Sequence, residues 1–261
     1  VEKLKIDDRR KKILQLLARD GKVRIAQLSK ELHTTVVTIR NDLTVLERDG
    51  YCERISGGAI QTVKNFYDMN FQQRKLENME DKKAIASAVT DLVADGETLF
   101  LNSGTTTYYV AIELKKHKSL SIVTNSLSIA IELGSIPSFR VILLGGEINS
   151  QYAFTYGHEA TNQLRKYKAE KVILSVDGIS YKNGLSTLNA EEAEINKVMI
   201  ERARQTIIVA DRTKLGHESF FNFGELSDKC ICVTNYGADE EQLRNLEAAG
   251  VEIICCSSLT D

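Results

Sequence analysis

The chain has 261 residues, enough for one large domain or for a small one beside a medium one. Its apolar fraction of 43% and charged fraction of 27% are those of a soluble globular protein, and no apolar run approaches the roughly 18 residues of a membrane-spanning helix. The opening VEKLKIDDRRKK is charged with no apolar core behind it, unlike a secretory signal, so a cytoplasmic protein with no membrane partner is expected. The net charge of −2 is unevenly spread. Residues 1–57 carry 13 Lys/Arg against 9 Asp/Glu, and the other 204 carry 21 against 27. A basic head on an acidic body turns the head toward an anion, usually nucleic acid.

In chain order, Asp7 or Asp8 can cap a first helix whose stripe is Ile13, Leu14 and Leu17, ended by Gly21. Ile25, Leu28 and Leu32 give a second short helix that stops around His33-Thr34. Thr35 can cap a third, in which Ile39, Leu43 and Leu46 form the inward stripe. Its other face carries Thr38, Asn41 and Thr44 with Arg40 beside them, small polar and cationic groups that suit a DNA groove. After Gly50, YCERIS reads as a strand, Gly57-Gly58 as a turn and AI as the return, a wing on which Arg54 can reach a phosphate. Three helices and a wing describe a winged helix-turn-helix. A three-helix bundle without a DNA role has the same periodicity.

The segment TIRNDLTVLERDGYCERISGGA resembles the N-terminal signature of the DeoR family of bacterial transcription regulators. Thr38, Ile39, Arg40, Asp42, Leu43, Leu46, Gly50, Arg54, Gly57, Gly58 and Ala59 match it. Asn41 stands where the family has a second arginine; asparagine suits adenine where arginine suits guanine. The resemblance implies a DNA-binding domain over 1–59, with Thr35, Thr38, Arg40, Asn41, Thr44, Arg54, Gly57 and Gly58 at the DNA. Residues 60–80, polar with scattered aromatics, read as a linker.

From Asp81 the pattern alternates between helices (DKKAIASAVTDLVADG, TTTYYVAIELKK, SLSIAIEL, EEAEINKVMIERAR, DEEQLRNLEAAG) and apolar strands (ETLFLN, LSIVTN, FRVILLGG, EKVILSVDG, QTIIVAD, DKCICVTN, VEIICC). Near-continuous apolar strands between helices indicate an α/β domain over 81–261, with a mostly parallel sheet covered by helices. Ligands of such sheets bind beyond the carboxyl ends of the strands. There the sequence places NSGTTT (102–107), TNS (124–126), GG (145–146), DG (177–178) and ADRTKLG (210–216). Gly104, the hydroxyls of Ser103, Thr105, Thr106 and Thr107, and a helix N-terminus suit an oxyanion such as phosphate, although a plain helix cap has the same residues. Asp177 and Asp211 can accept sugar hydroxyls, and Lys214 can neutralise a phosphate. Neither a P-loop nor a dinucleotide fingerprint is present, so no cofactor is expected. Cys52, Cys230, Cys232, Cys255 and Cys256 show no zinc spacing and read as small buried hydrophobes in a reducing compartment.

The body resembles the DeoR effector domain at Ser103, Gly104, Thr105, Thr106, Thr124, Asn125, Gly145, Gly146, Asp177, Gly178, Asp211 and Lys214. It departs at Asn102, in place of an aspartate, and at Arg212-Thr213, in place of two serines. What this implies is a sugar-phosphate-isomerase-like fold and an effector site at Ser103, Gly104, Thr105, Thr106, Thr107, Asn125, Ser126, Gly145, Gly146, Asp177, Gly178, Asp211 and Lys214. The implied protein is a repressor of carbohydrate genes, a homodimer or homotetramer on operator DNA, controlled by a phosphorylated sugar. GLSTLNAEEAEINKVM (184–199) with TIRNDL further resembles the branch regulating N-acetylgalactosamine and tagatose use, which would put Glu191, Glu192 and Glu194 near the effector; any helix also favours an acidic first turn. The rival is an isomerase-like enzyme with an appended helical domain, Asp177 acting as base and Lys214 beside a carbonyl. A DNA head adds nothing to such an enzyme, and a sensor needs an output, so no catalytic residue is expected.

Overall fold

A computed structural model of the chain describes residues 6–48, 51–61 and 71–257. Gly50 and residues 62–70 of the expected linker lie outside the described residues. The chain divides into two compact units, Val1–Met79 and Glu80–Asp261.

The first unit contains α1 (Ile6–Asp20), β1 (Lys22–Arg24), α2 (Ile25–Glu31), α3 (Val36–Arg48), β2 (Cys52–Ile55), β3 (Gly58–Gln61) and α4 (Phe71–Leu76). Asp7 and Asp8 lie within the first turn of α1 rather than at its cap. Gly21 ends that helix in the left-handed region, at φ +67°. Thr35 caps α3: its hydroxyl accepts from the Thr38 amide at 3.1 Å. Ile13, Leu17, Leu28, Ile39, Leu43 and Leu46 interlock in one core, which Val23, Cys52 and Ala59 of the wing complete. The wing has three strands in the order β1-β3-β2, antiparallel throughout. Periodicity missed β1, because Lys-Val-Arg holds a single inward residue. The strand β3 runs to Gln61, beyond the residue-59 end expected for the head, and part of the expected linker is the helix α4, with Phe71 buried.

The second unit is built on seven strands, all parallel: β4 (Thr98–Leu101), β5 (Leu120–Thr124), β6 (Phe139–Leu143), β9 (Ala169–Ser175), β12 (Ala203–Val209), β14 (Cys230–Asn235) and β15 (Glu252–Cys256). Their order is β15-β14-β12-β9-β4-β5-β6. The helices are α5 (Met79–Thr90), α6 (Thr105–Leu114), α7 (Leu127–Gly134), α8 (His158–Leu164), α9 (Ala190–Arg202) and α10 (Glu240–Ala248). Central strands are apolar because both faces are covered: Val172, Ile173, Leu174, Ile207, Ile208 and Val209 are all buried.

Two small antiparallel pieces carry no mark in the sequence pattern. One is the hairpin β7 (Glu147–Asn149) with β8 (Phe154–Tyr156). The other is the sheet of β10 (Gly178–Ser180), β11 (Gly184–Thr187) and β13 (Phe221–Gly224). Strands of three or four residues leave too little alternation to recognise. Cys52, Cys230 and Cys232 are buried and free; burial, then Cys255 and Cys230, pushes the Cys232 thiol up to about 12, which keeps it protonated and unreactive.

Candidate functional site

The first candidate surface is the outer face of α3 with the wing. Arg40, Asn41 and Thr44 are exposed, Thr38 is half-buried, and Arg54 and Gly57 are exposed on the wing. The Arg54 guanidinium donates to the Thr44 hydroxyl at 3.1 Å, and Thr44 donates to the Arg40 carbonyl at 2.9 Å. The wing arginine therefore lies against the helix, beside the expected base-reading positions. Gly57 and Gly58 serve the backbone. Gly57 turns at φ +79°, and a Cβ on Gly58 would stand 2.0 Å from the Val23 carbonyl oxygen of β1. Asp42 faces inward, 2% exposed, and accepts from Arg9 at 2.5 and 3.1 Å and from Arg10 at 3.1 Å. In the same motif Arg40 faces solvent while Asp42 fastens α3 to α1.

The second candidate lies at the carboxyl edge of the large sheet. The chain winds outward from β4 through β5 to β6, then returns to the other side of β4 and winds through β9, β12, β14 and β15. The winding reverses between β4 and β9, where sheets of this kind bind ligands. The loops after these two strands are laced together. The Asn102 amide donates to the Ser175 carbonyl at 2.9 Å, and its oxygen accepts from the Ser175 amide at 3.0 Å. The Thr107 hydroxyl donates to the same Asn102 oxygen at 2.8 Å, and the Thr107 amide donates to the Ser175 hydroxyl at 3.0 Å. A Cβ on Gly104 would meet Ser175 Cβ at 2.1 Å, so glycine is what lets the loop close. Thr107, fully buried, thus locks the loop in place. Thr105 and Thr106 occupy the first two positions of α6, where amides lack helical acceptors.

Beyond β9, one Asp177 oxygen accepts from the Thr187 hydroxyl and the Leu188 amide, each at 3.0 Å. Glu192, on the first turn of α9 and 9% exposed, accepts from Ser103 at 3.3 Å and lies 2.8 Å from the same Thr187 hydroxyl, whose single proton the two carboxylates share as acceptors. Ser103, Asp177 and Glu192 therefore converge, while Glu191 and Glu194 are exposed. A Cβ on Gly178 would stand 2.5 Å from the His217 carbonyl oxygen, which fixes the loop between β9 and β10.

Past β12, Asp211 is 2% exposed and caps the short 3-10 turn Arg212–Lys214 through the Thr213 amide at 3.0 Å. Burial acts to raise its carboxyl. The charges of Lys214 and Lys82 and the hydrogen bonds from Thr213 outweigh burial and hold it below the usual 3.8. Lys82 is 5% exposed on α5, which the sequence does not signal, since a lysine in an amphipathic helix normally faces water. The Asn235 amide donates to the Asp81 carbonyl at 3.1 Å and Arg212 stands 4.0 Å from the Asp81 carboxylate, so the first turn of α5 is held to the same edge.

The TNS and GG motifs hold the β7–β8 hairpin. Asn125 donates to the Thr155 carbonyl at 3.2 Å, Ser126 pairs with Phe154 and caps α7, and Gly145 donates to Gln163 at 2.9 Å. Gly146, at φ +138°, passes 2.3 Å from the Tyr156 carbonyl oxygen, measured from an ideal Cβ. The Asn125 side-chain oxygen is buried with no hydrogen-bond partner. Among the described residues no His/Cys/Asp/Glu group could hold a metal ion, and no helix is long and apolar enough to cross a membrane.

Residues 9–64 match the DeoR-like helix-turn-helix domain, and residues 77–236 match the DeoR C terminal sensor domain. The chain belongs to the DeoR family. It is 31% identical, over 95% of its length, to the putative aga operon transcriptional repressor of Escherichia coli O157:H7, and covers 93% of that protein. It is 33% identical, over 95% of its length, to a lactose phosphotransferase system repressor of Staphylococcus epidermidis, and covers 98% of it. A ribose 5-phosphate isomerase from Methanocaldococcus jannaschii aligns with 53% of the chain and 55% of its own at a TM-score of 0.38 and 14% identity. The DeoR member described here is a DNA-binding transcriptional regulator and not an enzyme, with its helix-turn-helix in the first unit and a sensor domain on a parallel sheet in the second.

Proposed function

We propose that this regulator is a repressor of carbohydrate-utilisation genes whose operator affinity falls when a phosphorylated sugar binds the sheet edge. The observation that carries the reading is the reversal of winding between β4 and β9, where the SGTT loop, Asp177 and Glu192 converge. In this reading the amides of Thr105 and Thr106 and the α6 N-terminus take the phosphate, with Lys214 neutralising it. Ser103, Asp177 and Glu192 receive the sugar hydroxyls. Thr107, Asn125, Ser126, Gly104, Gly145, Gly146, Gly178 and Asp211 shape the loops that present these groups. The names of the repressor relatives support a sugar-linked role.

On the DNA side, Arg40 and Asn41 meet base edges, with Thr44 between the helix and the wing, Thr35 and Thr38 at the helix start and Arg54 on the wing reaching a phosphate. One such head makes few base contacts, so two or four copies on repeated half-sites are needed for selectivity.

The test is a thermal-shift screen of the full chain against phosphorylated sugars and their unphosphorylated parents. A sugar phosphate at about 100 times its dissociation constant adds roughly 2.7 kcal/mol to the sensor's stability. A shift with a phosphate and none with its parent is expected. A shift with neither across a broad panel overturns the sugar-phosphate reading.

A further inference from the structure

The recognition helix starts with an apolar pair that no core takes up. Val36 is 38% exposed and Val37 64% exposed, whereas Ile39, Leu43 and Leu46 of the same helix are almost wholly buried. Valine at these positions gains nothing from helix propensity, because its branched side chain is stiffened in a helix. Packing within the unit does not account for Val37 either, given its exposure. It stands at the N-terminal end of α3, the part of a recognition helix that meets base edges.

The neighbouring hydroxyls are already engaged. Thr38 and Thr35 share a hydrogen bond at 2.9 Å, and Thr44 bonds both the Arg40 carbonyl and Arg54. Asn41, exposed, follows Val37 by four residues and so lies on the same face one turn further along. Four residues advance about 6 Å along a helix. Base pairs are spaced about 3.4 Å apart, so the two side chains address positions one or two steps apart.

We propose that Val37 and Asn41 form an A·T-reading pair, Val37 packing on the C5-methyl group of a thymine and Asn41 bonding an adenine one or two base pairs away. The methyl group marks thymine alone among the four bases in the major groove, and adenine presents the N6/N7 edge that an amide side chain matches. Arg40 leaves room for a guanine contact beside them, so the half-site is mixed in composition with a fixed T and A.

The experiment selects duplexes from a random pool on the full chain, then replaces the thymine of the selected half-site by deoxyuridine, which removes only the methyl group. The selected half-site is expected to hold a T and an A one or two steps apart. Uracil is expected to weaken wild-type binding roughly fourfold per half-site, the factor given by about 0.8 kcal/mol for one buried methyl-sized group. Val37→Ala should lose most of that discrimination, and Asn41→Ala should relax selection at the adenine on the order of tenfold. A selected site without the thymine, equal wild-type binding to the uracil duplex, or the same uracil penalty in Val37→Ala overturns the proposal. The uracil comparison uses wild-type protein alone, so it decides even if a variant fails to fold.

Discussion

Arg40 and Asp42 stand two residues apart in TIRNDL, yet α3 sends Arg40 to solvent and Asp42 into a buried ion cluster with Arg9 and Arg10. The same motif therefore carries two separable roles. Asp42→Ala leaves Arg9, 7% exposed, as a buried cation without its counter-charge, which costs roughly 3–5 kcal/mol. Arg40→Ala removes an exposed side chain and should change stability by no more than about 0.5 kcal/mol while weakening operator binding. Thermal melts and DNA titrations on the two variants check this, and an Arg40→Ala protein that melts early would refute the division. Asp211 gives a prediction in pH. Its folded carboxyl is held below the usual 3.8, so its contribution to stability is complete above that value and is lost as pH falls through the depressed folded value. The stability gap between wild type and Asp211→Asn should thus be constant near neutrality and shrink only below about pH 4. Acid unfolding of both proteins measures it.

At the scale of elements, the glycine pair of the wing separates two demands that one motif hides. Gly57 needs a left-handed backbone, and alanine there costs roughly 1–2 kcal/mol. Gly58 needs space, since its Cβ would stand 2.0 Å from a backbone oxygen that cannot move without parting β3 from β1. Gly58→Ala should therefore destabilise the head more than Gly57→Ala, in urea melts followed by loss of DNA binding; the reverse order would contradict the packing described. The same contrast shows what the sequence could disclose. Long periodic elements such as α3, α9 and the apolar strands β9, β12 and β14 were legible because many residues repeat one pattern. The strand β1, the β7–β8 hairpin and the β10–β11–β13 sheet were not, because each strand carries too few residues to repeat. The polar strand-end loops were legible as loops gathered at one sheet edge, but not which threonine turns inward. Thr107 turns inward because Ser175, 68 residues later, meets it, and no local pattern encodes that meeting. Lys82 was hidden likewise, because a charged residue at a helix start normally faces water; the resemblance did name Glu192, but grouped it with Glu191 and Glu194, and only the tertiary fold buries Glu192 alone of the three.

For the whole molecule, the division of charge decides how the protein meets DNA. The residues beyond the head are acidic on balance and repel phosphate, so the salt dependence of operator binding is expected to report the heads. Each phosphate neutralised contributes about −0.9 to the slope of log K against log salt. Arg54 is exposed on the wing and leans on Thr44 of the recognition helix, and the proposed function gives it a phosphate contact. Arg54→Ala should flatten the slope by about 0.9 for every head engaged at once, hence by ~1.8 for a dimer and ~3.6 for a tetramer gripping four half-sites. Titrating wild type and variant over a range of salt therefore counts the heads in the bound complex while testing the phosphate contact. Lys214→Ala, made in parallel, should leave that slope unchanged and abolish release by the sugar phosphate. An Arg54→Ala slope equal to wild type would mean that the wing arginine serves only to brace Thr44, and the count of heads would then have to come from the spacing of protected half-sites, expected one helical turn of about 34–36 Å apart or a multiple of it.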